Sequence, residues 1–211
     1  MVSSYPIQFI VENLVGDQIE VTTVLPPGTD AHTYEPTAKD MVEIAESDLF
    51  IYTGAMMEPY AATIAKSLEK EDVLLISLEH ADAVFHQIDS TNLEEDSHEH
   101  HHSDDGHGHS HGDIDPHFWL DPTRMITASE HIKTELSHHF PQYANTISEN
   151  YVLLKKELEN LNEKFVEKIE ATENKTIFVS HAAYGYWEEN YGIKQLSIRG
   201  LSPTNEPSQK D

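Results

Sequence analysis

The sequence predicts an α/β protein in which parallel-sheet units flank one long helix. Three observations carry this. Short β-branched or apolar runs alternate with amphipathic helical stretches over residues 6–77. One unbroken apolar stripe then spans Tyr143 to Ala171, and a fresh strand–helix–strand pattern opens at Lys175. Alternation of this kind builds right-handed β-α-β units and a doubly wound parallel sheet.

The elements follow in order. Pro6 to Val15 reads as a helix, with Ile7, Ile10, Val11, Leu14 and Val15 on one face and Gly16 as its stop. Gln18 to Leu25 (QIEVTTVL) reads as a strand, broken by Pro26-Pro-Gly-Thr-Asp30. A loop, Ala31 to Pro36, precedes a helix from Pro36 to about Ser47. Asp48 to Gly54 is apolar on both faces, as in a buried parallel strand; a helix from Glu58 to Glu69 and a strand at Val73–Ser77 repeat the unit. Residues 87–114 are too polar and too long a loop to pack, and are expected to lack fixed structure. Thr123 to Phe140 is a helix with Ile126, Ile132 and Leu136 inward. In the long helix Ile147, Tyr151, Leu154, Leu158, Leu161, Phe165 and Ile169 alternate spacings of four and three. At 1.5 Å per residue it reaches roughly 40 Å, enough to bridge two lobes; the competing reading is a coiled-coil arm. Lys175–Ser180, Tyr184–Tyr191 and Gln195–Ile198 then form strand, short helix and strand.

Composition narrows the function. With 13 basic and 38 acidic residues among 211, the formal charge of -25 repels nucleic acid and anionic membrane surfaces and suits a cation as ligand. There is no cysteine, so a disulfide or a thiolate metal site is excluded. No run approaches the ~20 apolar residues of a membrane span, and no signal peptide opens the sequence. A helix at once at the start and a connecting stretch, Ser202 to Ser208, three residues before the end read as a fragment cut at both ends.

Histidine carries the chemistry. His98, His100, His101, His102, His107, His109 and His111 form an acidic, glycine- and serine-rich tract, interspersed in a way a purification tag is not. Such a tract offers many weak, exchangeable imidazole sites tethered near any tighter one; the competing reading is solvated filler. Three further histidines have stiffer settings. His32 follows a strand, where open α/β sheets place ligands; His117 lies in the Pro-bracketed Asp115-Pro-His-Phe-Trp-Leu-Asp-Pro122; His181 ends the strand at Lys175. Three imidazoles plus an oxygen make a four-coordinate site. The donor set suits zinc, copper, iron or nickel and leans toward zinc. Asp115, Asp121, Tyr34 and Trp119 are candidates for supporting or packing roles, Trp119 for packing; His80, His86, His131, His138 and His139 read as surface residues.

At these residues the chain resembles the zinc-binding subunits of bacterial ABC importers, the ZnuA/AdcA type of metal-specific solute-binding protein. Val24-Leu-Pro-Pro-Gly-Thr-Asp-Ala-His-Thr-Tyr-Glu-Pro36, the Asp115–Pro122 segment, Val179-Ser-His-Ala-Ala-Tyr-Gly-Tyr186 and Gly200-Leu-Ser-Pro-Thr-Asn-Glu-Pro207 carry the likeness, with the histidine tract in the matching place. The resemblance implies two α/β lobes joined by one long rigid helix, the second lobe incomplete here, with Zn2+ held in the cleft by His32, His117 and His181. Manganese-type relatives carry an acidic residue where His181 stands. A fourth ligand, acidic or water, is expected beyond Asp211. It further implies a monomer outside the cytoplasm, a surface lipoprotein or a periplasmic protein, that delivers zinc to a membrane permease and catalyses nothing.

The expected division is an N-terminal α/β lobe at 1–122 with the 87–114 loop, a helical segment at 123–172, and the start of a second α/β lobe at 173–211. The rivals are a manganese importer subunit or adhesin of the same fold, a histidine-rich zinc store, and a zinc hydrolase. Against the last, no H-E-x-x-H motif supplies a base beside the ligands.

Overall fold

The computed structural model describes residues 1–81, 83–85, 114–201 and 203–204. The histidine tract at 98–111, His86 and the 205–207 end of the fourth matching segment lie outside the described residues, so the expectations placed on them have no structural counterpart here.

Helix α1 (Tyr5–Val15) starts where Ser4 is extended and Pro6 occupies its first turn, and it buries the five apolar residues expected of it. It stops at Gly16, whose φ of +55° suits a residue without a Cβ. The strand expected at 18–25 is not formed as such. Gly16–Gln18 is a 3-10 turn, and pairing is limited to a parallel bridge of Thr23 to Val2. Val2 donates to the Thr22 carbonyl (2.8 Å), and Val24 and Leu25 donate to Val2 and Ser3 (2.9 and 3.1 Å). The β-branched run is extended without becoming a strand, because its pairing stops at this short contact with Val2 and Ser3.

Helix α2 (Ala38–Ala45) begins two residues later than expected, because Thr37 and Asp40 close a reciprocal capping box. Strand β1 (Leu49–Tyr52), helix α3 (Pro59–Leu68) and strand β2 (Leu74–Ser77) form the predicted unit, β1 and β2 pairing in parallel from Leu49↔Leu74 to Tyr52↔Ser77. Val2 bridges Ile51 on the other side of β1, so β1 is central and buried.

Helix α4 (Pro122–His139) is capped by the Asp121 carboxylate, which accepts from the Thr123 amide at 2.8 Å. Helix α5 (Ala144–Glu170) runs 27 residues. Its stripe is fully buried at Ile147, Tyr151, Leu154 and Leu158, against α1 and α4. Farther on, Phe165 meets Trp187 and Tyr191 of α6 (Gly185–Tyr191) at ring separations of 5.4 and 5.7 Å. Leu161 stays 42% exposed, but the rest of the stripe is buried or half-buried within the chain, against the reading as a coiled-coil arm.

Strand β3 (Thr176–His181) and strand β4 (Lys194–Arg199) pair in parallel across α6. The fold is therefore α/β, with short parallel sheets and one long helix between them in sequence. Phe178 is 84% exposed, Ile198 61% and Leu196 40%, leaving one apolar face of β3–β4 open. Among the described residues no helix is long and apolar enough to cross a membrane.

Candidate metal centre

Three segments far apart in sequence converge on one point. The first is the Pro-Pro-Gly turn, where Gly28 has a φ of +81° and Thr29 donates to the Pro26 carbonyl. Beyond it Asp30 Oδ1 accepts the backbone N–H of His32 at 2.9 Å, fixing the residue while its ring stays half-buried. The second is the Pro-bracketed segment. His117 is 2% exposed and leads into the 3-10 turn Phe118–Leu120, which Asp121 and α4 continue. The third is β3, whose last residue is His181, held by parallel pairing to Arg199 and by the Ala182 amide on the Gly200 carbonyl (2.9 Å).

One ring nitrogen from each of His32, His117 and His181 lies within 4.8 Å of the other two, close enough for the three to hold one metal ion. Their ring centroids are separated by 5.3 to 6.2 Å. His32 Nε2 and His117 Nε2 stand 3.3 Å apart. Two nitrogens at Zn–N distances of 2.0–2.1 Å and a tetrahedral angle are separated by about 3.3 Å, so this pair already has the spacing a zinc ion needs.

Asp115 sets the state of His117. Its Oδ1 accepts both the His117 backbone amide (2.9 Å) and ring Nδ1–H (2.7 Å). A carboxylate can only accept, so Nδ1 carries the proton and Nε2 presents a bare lone pair toward His32. Asp115 is itself fully buried, and its Oδ2 has no hydrogen-bond partner. The carboxyl group thus stands directly behind the His117 imidazole, with one oxygen bound to it and the other free of hydrogen bonds. Burial first, and then neighbouring His117, push the pKa of His32 below its ordinary value; the same two causes lower that of His181. Both rings therefore stay neutral to lower pH, the form that ligates metal.

The other candidates separate cleanly. Asp115, left open between packing and support, is the partner of His117. Asp121 faces away, capping α4 and accepting from Asn190 Nδ2. Tyr34 donates to Asp40 Oδ2 (2.9 Å) and packs edge-on against Tyr60, off the three-histidine cluster. Trp119 is half-buried and lies against both Phe118 and His117, so it packs and also walls the site. His138 and His139 are on the outer side of α4, His131 half-buried. Sequence reasoning missed Asp30. The signal was there: Asp-x-His occurs at Asp30–His32 and again at Asp115–His117, and in both the aspartate caps the histidine amide at 2.9 Å. It also missed Tyr186 and Arg124, whose roles need the fold.

Compared with known proteins, residues 1–211 match the family described as zinc-uptake complex component A, periplasmic. The zinc-binding lipoprotein AdcA of Streptococcus pneumoniae is 33% identical over 208 residues, covering 97% of this chain and 39% of AdcA. The crystal structure of the Zn(II)-bound ZnuA-like domain of that species' AdcA superposes with a TM-score of 0.76 at 29% identity, over 99% of this chain and 69% of that one. The laminin-binding protein Lbp of Streptococcus pyogenes superposes with a TM-score of 0.76 at 26% identity, over 99% of this chain and 70% of that one. The chain thus spans about two-fifths of the length of AdcA. Match over every residue, together with the converging histidines, leads to one conclusion: the chain belongs to the zinc-uptake complex component A family.

Proposed function

We propose that this chain captures Zn2+ outside the cytoplasm through His32, His117 and His181 and passes it, chemically unchanged, to the membrane permease of an ABC importer. The observation that carries this is the facing pair of Nε2 atoms 3.3 Å apart, with His181 within 4.8 Å, backed by a buried carboxylate. Three neutral nitrogens suit zinc, whereas manganese prefers carboxylate and water oxygens. The fourth position falls to water or to an oxygen outside this triad. AdcA, a zinc-binding lipoprotein, supports both the metal and the location. In the same reading the seven tract histidines, His98 to His111, act as an auxiliary collector of exchangeable sites, and the -25 charge raises the local cation concentration.

The test is zinc stoichiometry and affinity by competition with a chelating dye, for the full chain and for a variant lacking residues 98–111. One tight site that survives the deletion is expected. Loss of all tight binding with the tract would instead make the α/β part a scaffold for a histidine-rich store. The likeness to a laminin-binding protein motivates a second reading, adhesion on the same fold. Binding to immobilised laminin by metal-stripped protein would favour it; none is expected.

A further inference from the structure

Helix α6 follows His181 after a three-residue link, and its side chains reach back across the segment that carries His117. The Tyr186 hydroxyl donates to the backbone carbonyl of Asp115. The Trp187 indole N–H donates to the Leu120 carbonyl at 2.7 Å, and Asn190 Nδ2 donates to the Asp121 carboxylate. Glu189 pairs with Arg124 at 2.8 Å. Arg124 in turn lies 3.7 Å over the Tyr186 ring and donates to the Val84 carbonyl at 2.9 Å. One short helix thus grips both ends of the 115–121 segment.

Tyr186 is distinct among these contacts. It is 2% exposed, and its partner is the main chain of the residue whose carboxylate orients His117. It also sits five residues after His181, joined to it by the short link Ala182–Tyr184. We infer that Tyr186 is a positioning residue for the three-histidine centre: by holding the Asp115 carbonyl, its hydroxyl fixes the separation between His117 and His181. This rests on the zinc reading above. It ties those two histidines together through α6, with His32 Nε2 standing 3.3 Å from His117 Nε2 beside them.

Tyr186→Phe removes one oxygen and keeps the ring under Arg124, so packing is retained. The full-length chain is titrated with Zn2+ and Co2+ while the fluorescence of Trp119, which lies against His117, reports arrival at the centre. Tyr186→Phe is expected to weaken zinc by about fivefold, the net worth of one buried hydrogen bond, and to speed its release. It should also shift the visible Co2+ spectrum, which responds to ligand geometry, while the metal-free melting temperature falls by only the few degrees that one buried hydrogen bond is worth in a chain of this size. Tyr191→Phe is the control. It deletes the hydroxyl of another buried tyrosine on α6, which donates to Asn162 of α5 at 2.8 Å and also interacts with Asp121 at the end of the segment remote from Asp115, and affinity should stay within about twofold of the parent.

Parent-like affinity and Co2+ spectrum in Tyr186→Phe would overturn the inference. So would equal weakening in both variants accompanied by lower melting, since that is lost packing. His117→Ala and His181→Ala address the underlying reading separately: if neither alters the zinc response of Trp119, the triad is not the site and the role of Tyr186 falls with it.

Discussion

Two of the three histidines are held by the same three-residue device in opposite settings. Asp30-Ala31-His32 sits in a turn at the surface, where Asp30 is exposed and hydrogen-bonds the backbone N–H of its histidine, reaching the rings of His32 and His181 through its charge. Asp115-Pro116-His117 is buried, and the aspartate takes both the amide and the ring N–H. In the first, the backbone is fixed and the ring can still turn. In the second, position, tautomer and ring orientation are all set before metal arrives. In the proposed zinc site the buried device would lower the reorganisation needed at His117 more than the exposed one does at His32.

The sharpest way to break this contrast is to remove each ring. His117→Ala should cost more than the roughly 10–100-fold typical of changes outside the ligand shell. His32→Ala should cost measurably less than His117→Ala, because the oriented His117 remains; equal losses by dye competition would erase the distinction. Next come the aspartates. Asp115→Asn should weaken zinc by about 10–100-fold, since it removes the buried charge and disturbs the tautomer. Asp30→Asn keeps an acceptor for the His32 amide and should stay within about threefold.

Proton competition sharpens the same comparison. His32 and His181 have lowered pKa values, from burial first and then from His117, so their rings resist protonation below the usual 6.5. Zinc affinity should therefore hold from pH 8 to about 6.5 and fall only below it. The metal-free fold has the matching sign. Below about pH 6.5 the unfolded chain binds protons at these two positions before the folded one does, so stability drops as pH falls toward the folded values. A melting temperature that rose on acidification through this window would contradict the assignment. The smallest effect belongs to Gly28. A Cβ there meets nothing within 4 Å, so Gly28→Ala tests backbone strain alone at a φ of +81°. It should cost roughly 1 kcal/mol in the His32 arm, seen as a slight loss of affinity with the His117 side unchanged.

Much of this was legible in the amino-acid order because local signals agreed with tertiary demand. The stripe from Ile147 to Leu158 and the doubly apolar Leu49–Tyr52 both needed only periodicity to be placed. The run at 18–25 misled because β-branched residues report an extended backbone, whereas a ladder also requires continuous pairing with a neighbour. At the site, histidine type and strand-end position pointed to His32, His117 and His181. The Asp-x-His repeat was readable and went unread. Tyr186 was beyond reach: its partner is a carbonyl 71 residues away, and no pattern in side-chain chemistry announces a bond to main chain.

The open face of β3–β4 has a consequence for how the molecule behaves in bulk. Phe178, Leu196 and Ile198 present an adhesive patch on a particle carrying a formal charge of -25. Long-range repulsion keeps such particles dispersed in dilute buffer. At an ionic strength near 0.1 M that repulsion reaches only about 10 Å, and salts excluded from protein surfaces strengthen apolar contact. Clarity in dilute buffer and reversible turbidity as sulfate is added would then be two aspects of one colloidal balance between charge and apolar surface.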